Sequence, residues 1–150
     1  MLAIGSDHAG FALKSRILAE LRARGREARD FGCFSPASVN YLDIARAACA
    51  SVASGECALG ILVCGTGIGM SMAANKVRGI RAALCGDTYS ARITRAHNDA
   101  NVLCLGERVL GQELALDIVE AFLSGAFEGG RHAQRVQAMM AMELSKDMNT

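Results

Sequence analysis

At 150 residues the chain has room for one domain with a real core, and a 51% hydrophobic share excludes a disordered polymer. A formal net charge of +1 gives no electrostatic case for binding nucleic acid or a membrane surface. No apolar run reaches membrane-spanning length, and Leu2-Ala3-Ile4-Gly5 lacks the charged region and cleavage site of a signal peptide, so a cytoplasmic protein is expected. The six cysteines, at 33, 49, 57, 64, 85 and 104, form no Cys-x-x-Cys pair and lie mostly in apolar runs. Packing cysteines in a reducing compartment fit this better than a disulfide framework or a zinc site.

In chain order, Leu2 to Gly5 reads as a short buried strand, followed by the polar turn Ser6-Asp7-His8-Ala9-Gly10. Phe11, Leu13, Ile17, Leu18 and Leu21 recur at helical spacing and Gly25 stops the helix. Asp7 and His8 therefore fall at the C-terminal edge of the first strand, where open α/β sheets bind ligands; each has a bland alternative, as a helix cap and a solvated loop residue respectively. Glu27 to Phe31 is a charged, edge-type strand, and Gly32 to Asn40 is a loop with the only proline, Pro36. Tyr41, Ile44, Ala45, Ala48, Cys49 and Val52 mark an apolar helix face ending near Gly55. Tyr41 opens that helix and serves either the core or a site at the same sheet edge.

The central stretch is Ile61-Leu62-Val63-Cys64-Gly65-Thr66-Gly67-Ile68-Gly69-Met70. An apolar strand runs into alternating glycines, and the sequence turns helix-compatible from Ser71 to Lys76. Strand, glycine loop and helix start make an anion cradle, because glycine admits close approach and a helix N-terminus offers free N–H groups. A thiol and a hydroxyl, Cys64 and Thr66, stand at its mouth; Cys64 is either a small buried hydrophobe or a reacting group. Ile80 to Leu84 is the fourth strand, Gly86-Asp87-Thr88 a turn and cap, and Ala91, Ile93 and Ala96 carry a helix into His97-Asn98-Asp99-Ala100-Asn101. His97 reads as a helix C-cap or as a site residue. Val102 to Leu105 is the fifth strand, and a helix with Leu114, Ile118, Val119 and Phe122 on one face ends at Gly125. After Gly129-Gly130 a helix over about 131–148 carries Arg131 and Arg135 on one face, then Met139, Met140, Met142 and Leu144. Two arginines gain nothing from the dipole of a helix start, so they mark either an external anion or a solvated basic face. The methionines suit a packing or subunit surface.

Strands alternate with helices five times without repeats or a linker, which specifies one doubly wound three-layer αβα sandwich with a parallel, Rossmann-like sheet. The glycine run is neither a dinucleotide fingerprint, since Met70 occupies the third small-residue position, nor a Gly-Lys-Ser/Thr phosphate loop. A flavodoxin-like module that binds a phosphate or nucleotide without chemistry is the competing reading.

Gly5-Ser6-Asp7-His8-Ala9-Gly10, Cys64-Gly65-Thr66-Gly67-Ile68-Gly69, Ala73-Ala74-Asn75-Lys76, Gly79-Ile80-Arg81-Ala82, Tyr89-Ser90-Ala91, His97-Asn98-Asp99-Ala100-Asn101 and Gly129-Gly130-Arg131-His132 occur in one order. Together they resemble the ribose-5-phosphate isomerase B family, which includes allose-6-phosphate and galactose-6-phosphate isomerases. The resemblance implies strand order 2-1-3-5-4 and a homodimer, with a tetramer as the alternative, and active sites shared between subunits; the apolar methionine-rich tail after Arg135 places the C-terminal helix in that interface. The resemblance also implies aldose–ketose isomerisation of a sugar phosphate through a cis-enediolate, ribose 5-phosphate by default, with no cofactor and no metal. Cys64 would be the carbon base, because methionine at position 70 replaces the glutamate of the family's other kind. Thr66 would shuttle a proton between sugar oxygens. Gly65, Gly67, Gly69 and Asn98 would hold the enediolate oxygen, and His97, with Asp7 nearby, would open the sugar ring. Arg131, Arg135 and His8 would grip the phosphate, with Arg108 in support, and Tyr41 would line the sugar pocket. Asn40-Tyr41-Leu42 stands where many members read Asp-Tyr-Pro, which leaves the sugar open among ribose 5-phosphate, allose 6-phosphate, galactose 6-phosphate and a tetrulose 4-phosphate.

Overall fold

Short strands that are apolar at nearly every position have one stable outcome here, a sheet covered on both faces. The computed structural model describes residues 1–147, with side chains described through Glu143. Strands β1 (Leu2–Ser6), β2 (Ala28–Asp30), β3 (Leu59–Cys64), β4 (Ala82–Leu84) and β5 (Val102–Gly106) form one sheet in the order β2-β1-β3-β5-β4. Every pairing is parallel. The helices are α1 (Phe11–Ala23), α2 (Tyr41–Ala53), α3 (Ile68–Ala74), α4 (Thr88–Asn98), α5 (Gln112–Leu123) and α6 (Arg131–Asp147), and a 3-10 turn spans His8–Gly10. The sandwich and the strand order are those the sequence and its resemblance imply. Residue 148 and the side chain of Leu144, both placed on the last helix from the sequence, lie outside the described residues.

Alternation along the strands builds two cores. Ile4, Ile61, Val63, Leu103 and Leu105 point to the face covered by α1 and α5. Ala3, Leu62, Cys64, Val102 and Cys104 point to the face covered by α2 and α3. All six cysteines are free and buried. Leu114, expected on the buried face of α5, is 42% exposed, and the helix packs instead through Ala115, Leu116, Ile118, Val119 and Phe122. The stripe is rotated because α5 must meet both the sheet and its neighbours α1 and α4. Lys14, on the apolar side of α1, is 1% exposed; its ammonium donates to both Asp30 carboxylate oxygens at 2.7 Å and to the Cys33 carbonyl at 2.6 Å. That pairing ties α1 to the loop after β2 and compensates a buried charge. No helix is long and apolar enough to cross a membrane among the described residues.

The chain runs from β1 outward to β2, then crosses back to β3 on the other side of β1. The crevice at the C-terminal ends of β1 and β3 is therefore the topological switch point, where such sheets leave room for a ligand.

Candidate active site

Ser6 pairs with Val63, so the next residues along, Asp7 and Cys64, flank that crevice. The Asp7 N–H donates to the Val63 carbonyl at 3.2 Å. Its carboxylate accepts from the N–H groups of Ala9 and Gly10 at 2.9 and 3.0 Å, so it does cap the turn into α1. His8 is exposed, and its Nδ1 accepts from the Val39 N–H at 3.4 Å.

Cys64 ends β3 with its sulfur 3.1 Å from the Gly67 N–H, which donates to it. A donated N–H at a helix start favours negative charge on that sulfur. Three other thiols are shifted by burial. Burial pushes the Cys49 thiol up to about 12 and the Cys85 thiol up to about 11, and raises Cys104 as well. The exposed Thr66 accepts from the Ile68 N–H at 3.3 Å.

Helix α3 begins at Ile68, inside the glycine run and ahead of the expected start at Ser71. Gly67 is its N-cap at φ 77°, and a Cβ there would strike Leu84 and come within 2.9 Å of the Leu105 carbonyl carbon. Gly69 thus lies in the first helical turn, where a Cβ would stand 3.1 Å from Cζ of the Tyr41 ring. This settles where Tyr41 goes: the half-buried ring lies against the cradle. Asn40 caps α2 by accepting from the Leu42 N–H at 3.1 Å, a bond that proline at position 42 could not donate. Met70 is fully buried among α2, α3 and the sheet.

The loop after β5 is pinned over the cradle. The N–H groups of Glu107 and Arg108 donate to the carbonyls of Cys64 and Gly65, each at 2.9 Å. The Glu107 carboxylate accepts from the Leu13 N–H at 2.9 Å, and the exposed Arg108 runs its stem past Gly65.

The remaining expected residues are elsewhere. Helix α4 leaves the C-terminal end of β4 and returns to the N-terminal edge of the sheet, so His97 and Asn98 lie there. The Arg81 guanidinium, ahead of β4, accordingly donates to the Asn98 carbonyl at 3.1 Å. The Glu128 N–H donates to the Ala96 carbonyl at 3.0 Å, which brings the start of α6, with the exposed Arg131 and Arg135, to the same place. Within one chain His97 is therefore not near Asp7, because a helix that connects parallel strands must span the sheet.

His97 is not the αL C-cap of its helix, a position taken by Asp99 at φ 46°. Its ring stacks on His132, and both face Glu128. These are the residues of metal-ligating type that cluster among the described residues. Sequence reasoning assigned no role to His132, Glu128 or Glu107. His132 stood in a quoted motif, and the signal for Glu128 was its place just before the Gly129-Gly130 turn.

With this geometry in place, the comparisons are decisive. The family model described as Ribose/Galactose Isomerase matches residues 2–139. The chain belongs to that family. Ribose-5-phosphate isomerase B of Escherichia coli K12 is 51% identical over 146 residues, covering 97% of this chain and 98% of that protein. D-erythrulose-4-phosphate isomerase of Pectobacterium atrosepticum is 46% identical, covering 91% and 90%. Among solved structures, ribose-5-phosphate isomerase B of Clostridium thermocellum superposes with a TM-score of 0.95 at 52% identity, covering 97% of this chain and 98% of that one. The family's fold thus extends over nearly the whole chain, cradle and opposite edge included.

Proposed function

We propose that the chain is a cofactor-free aldose–ketose isomerase that interconverts ribose 5-phosphate and ribulose 5-phosphate, working as a dimer whose sites are shared between copies. The observation that carries the reading is the Cys64 sulfur, at the β1/β3 switch point, accepting the Gly67 N–H at 3.1 Å in a member of an isomerase family. His97 of one copy protonates the ring oxygen of the sugar bound by the other, while a base takes the proton of the anomeric hydroxyl, and the furanose opens. Asp7, at the cradle, is in place for that second proton. Cys64 as thiolate removes the C2 proton to give the cis-enediolate and returns a proton to C1. Thr66 carries the proton between the two sugar oxygens. The N–H groups of the Gly65–Gly69 segment, with Asn98 of the other copy, hold the oxyanion. Arg131 and Arg135 of that copy, with His8 and Arg108, clamp the phosphate, and Tyr41 lines the sugar.

Three features support this reading. His97, Arg131 and Arg135 lie at the sheet edge opposite Cys64, so one chain holds two incomplete halves. Exposed apolar side chains, Ile68 at 47%, Met72 at 64%, Leu84 at 43% and Val109 at 68%, surround the cradle and suit a subunit contact. Met139, 45% exposed on α6, extends the apolar surface to the last helix, which we place in the interface. Six free, buried thiols suit the cytoplasm.

The sugar rests on the relatives' names. The Escherichia coli and Clostridium thermocellum proteins are named for ribose 5-phosphate, the Pectobacterium protein for erythrulose 4-phosphate. Purified protein should be assayed against ribose 5-phosphate, a tetrose 4-phosphate, allose 6-phosphate and galactose 6-phosphate. The highest kcat/KM is expected for ribose 5-phosphate. A tenfold preference for another sugar would overturn the ribose assignment and leave the isomerase, and no turnover of any would overturn both.

A further inference from the structure

Helix α6 starts against the last turn of α4, and two imidazoles make the contact. The rings of His97 and His132 stack with centroids 4.0 Å apart and planes 9° from parallel. His132 is the buried member, with 9% of its side chain exposed against 34% for His97. Nε2 of each ring lies 3.8 Å from the same Glu128 carboxylate oxygen. The approach is held by backbone: Gly129 and Gly130 turn the chain at φ 65° and 54°, and the His132 N–H donates to the Gly129 carbonyl at 3.0 Å.

The trio has the donors of a metal site but not its geometry. A tetrahedral ion with bonds of 2.0–2.1 Å needs donors about 3.3 Å apart with converging lone pairs. Here the nitrogen–oxygen separations are 3.8 Å, and near-parallel rings aim their nitrogens side by side. Arg131 and Arg135, on the same turn and the next, add positive charge that opposes a cation. What the arrangement does provide is a fixed plane for His97.

We propose that His132 is a positioning residue: its buried ring sets the plane of His97, so that His97 presents one nitrogen in a fixed direction to the sugar ring oxygen in the partner copy's cradle. This rests on the reading of His97 as the ring-opening acid. Proton transfer requires the acid within hydrogen-bond reach and aligned, and a part-exposed imidazole at a helix end has rotamers to lose. A flat ring stacked on one face removes them. The platform is also electrically suited. Burial, then the charges of His97 and Arg131, hold His132 below the ordinary histidine range; Glu128 opposes the shift and Arg135 adds to it. A neutral ring can lie on a protonated one without repulsion and offers it a π face.

The test compares His132→Ala with His132→Phe, with His97→Ala alongside, on ribose 5-phosphate. His132→Ala should lower kcat about 10- to 100-fold, the scale of a misaligned catalytic group, and change KM less than about twofold. His132→Phe keeps the flat face without titratable nitrogens and should recover most of kcat. A phenylalanine variant as impaired as alanine overturns the proposal, because the nitrogens of His132 would then be the working part. Wild-type kcat in His132→Ala overturns it too, provided His97→Ala is inactive; an active His97→Ala removes the ring-opening reading instead. Should phenylalanine be too large to fold at this buried position, His132→Asn decides from the other side. It keeps polar nitrogen and loses the aromatic face, so it should match alanine, and full activity sinks the idea.

Discussion

The two edges of the sheet are built in opposite ways. At the C-terminal edge, strand ends deliver Asp7 and Cys64 side by side, and backbone hydrogen bonds from Gly67, Glu107 and Arg108 close a rigid cradle around them. At the N-terminal edge, helix ends carry His97, Asn98, Arg131 and Arg135, held by the His97–His132 stack, the Arg81 guanidinium on the Asn98 carbonyl and the Glu128 N–H on the Ala96 carbonyl. The first edge has a thiol and backbone donors and, among the described residues, one exposed arginine, Arg108, directly beside the glycines. The second has cations and imidazoles but no cradle. Each supplies what the other lacks, and the length of the strands separates them. The proposed chemistry needs both edges, which is why we place it between two copies.

The first way to break this comparison is at the cradle. Cys64→Ala should fold, bind a substrate analogue and lose at least about 100-fold in kcat, the low end of a general-base contribution. Near-normal turnover would end the assignment of the base whatever the family. Next comes a recovery experiment that asks directly whether the edges meet across subunits. Cys64→Ala and His97→Ala, each nearly inactive, should regain activity when unfolded together and refolded. In a statistical dimer mixture half the dimers are mixed and each has one intact site, so recovery should approach about a quarter of wild type. If both halves of a site came from one chain, no recovery would occur.

A smaller effect is expected at the phosphate clamp. Each charge-assisted arginine contact contributes about 1.5–3 kcal/mol, so Arg135→Ala should raise KM roughly tenfold or more and weaken inhibition by inorganic phosphate. Unchanged KM and unchanged phosphate inhibition would take Arg135 out of the site and leave the cradle standing alone.

The smallest effect is a stability slope at the N-terminal edge. Burial and the charges of His97 and Arg131 depress the His132 pKa in the folded protein, against the pull of Glu128 and with a further push from Arg135. The unfolded chain, with an ordinary value of about 6.5, therefore binds more protons there. The stability from neutral His132 is fully present above about pH 6.5 and is lost as pH falls from there through the lower folded value. Thermal melts between pH 7.5 and 5 should show a steeper fall of Tm for wild type than for His132→Phe. Parallel curves would mean that His132 is not shielded as the structure has it.

Much of this was legible before any coordinates. The alternation of short strands with helical stripes located all five strands, and the three central ones stood out because parallel strands buried on both faces are short and hydrophobic. Cys64, Thr66 and the glycines were recognisable because an anion cradle needs backbone that only glycine allows. Where reading failed, a partner distant in sequence was responsible. Gly69 reads as loop, yet it lies in the first turn of α3, where its missing Cβ leaves room for the Tyr41 ring. Leu114 fits a helical stripe, yet the stripe that matters is set by what packs on α5.

The sequence by itself determined the order of elements, the cradle at the end of β3 and the family, all of which are local or carried by short motifs. Only the tertiary structure decided that the expected site residues divide between opposite edges of the sheet. Residues 64 and 97 belong to one chemistry on paper, but α4 must run antiparallel to the strands it connects. That places its last turn, with His97 on His132, a full strand length from the sulfur it is proposed to serve.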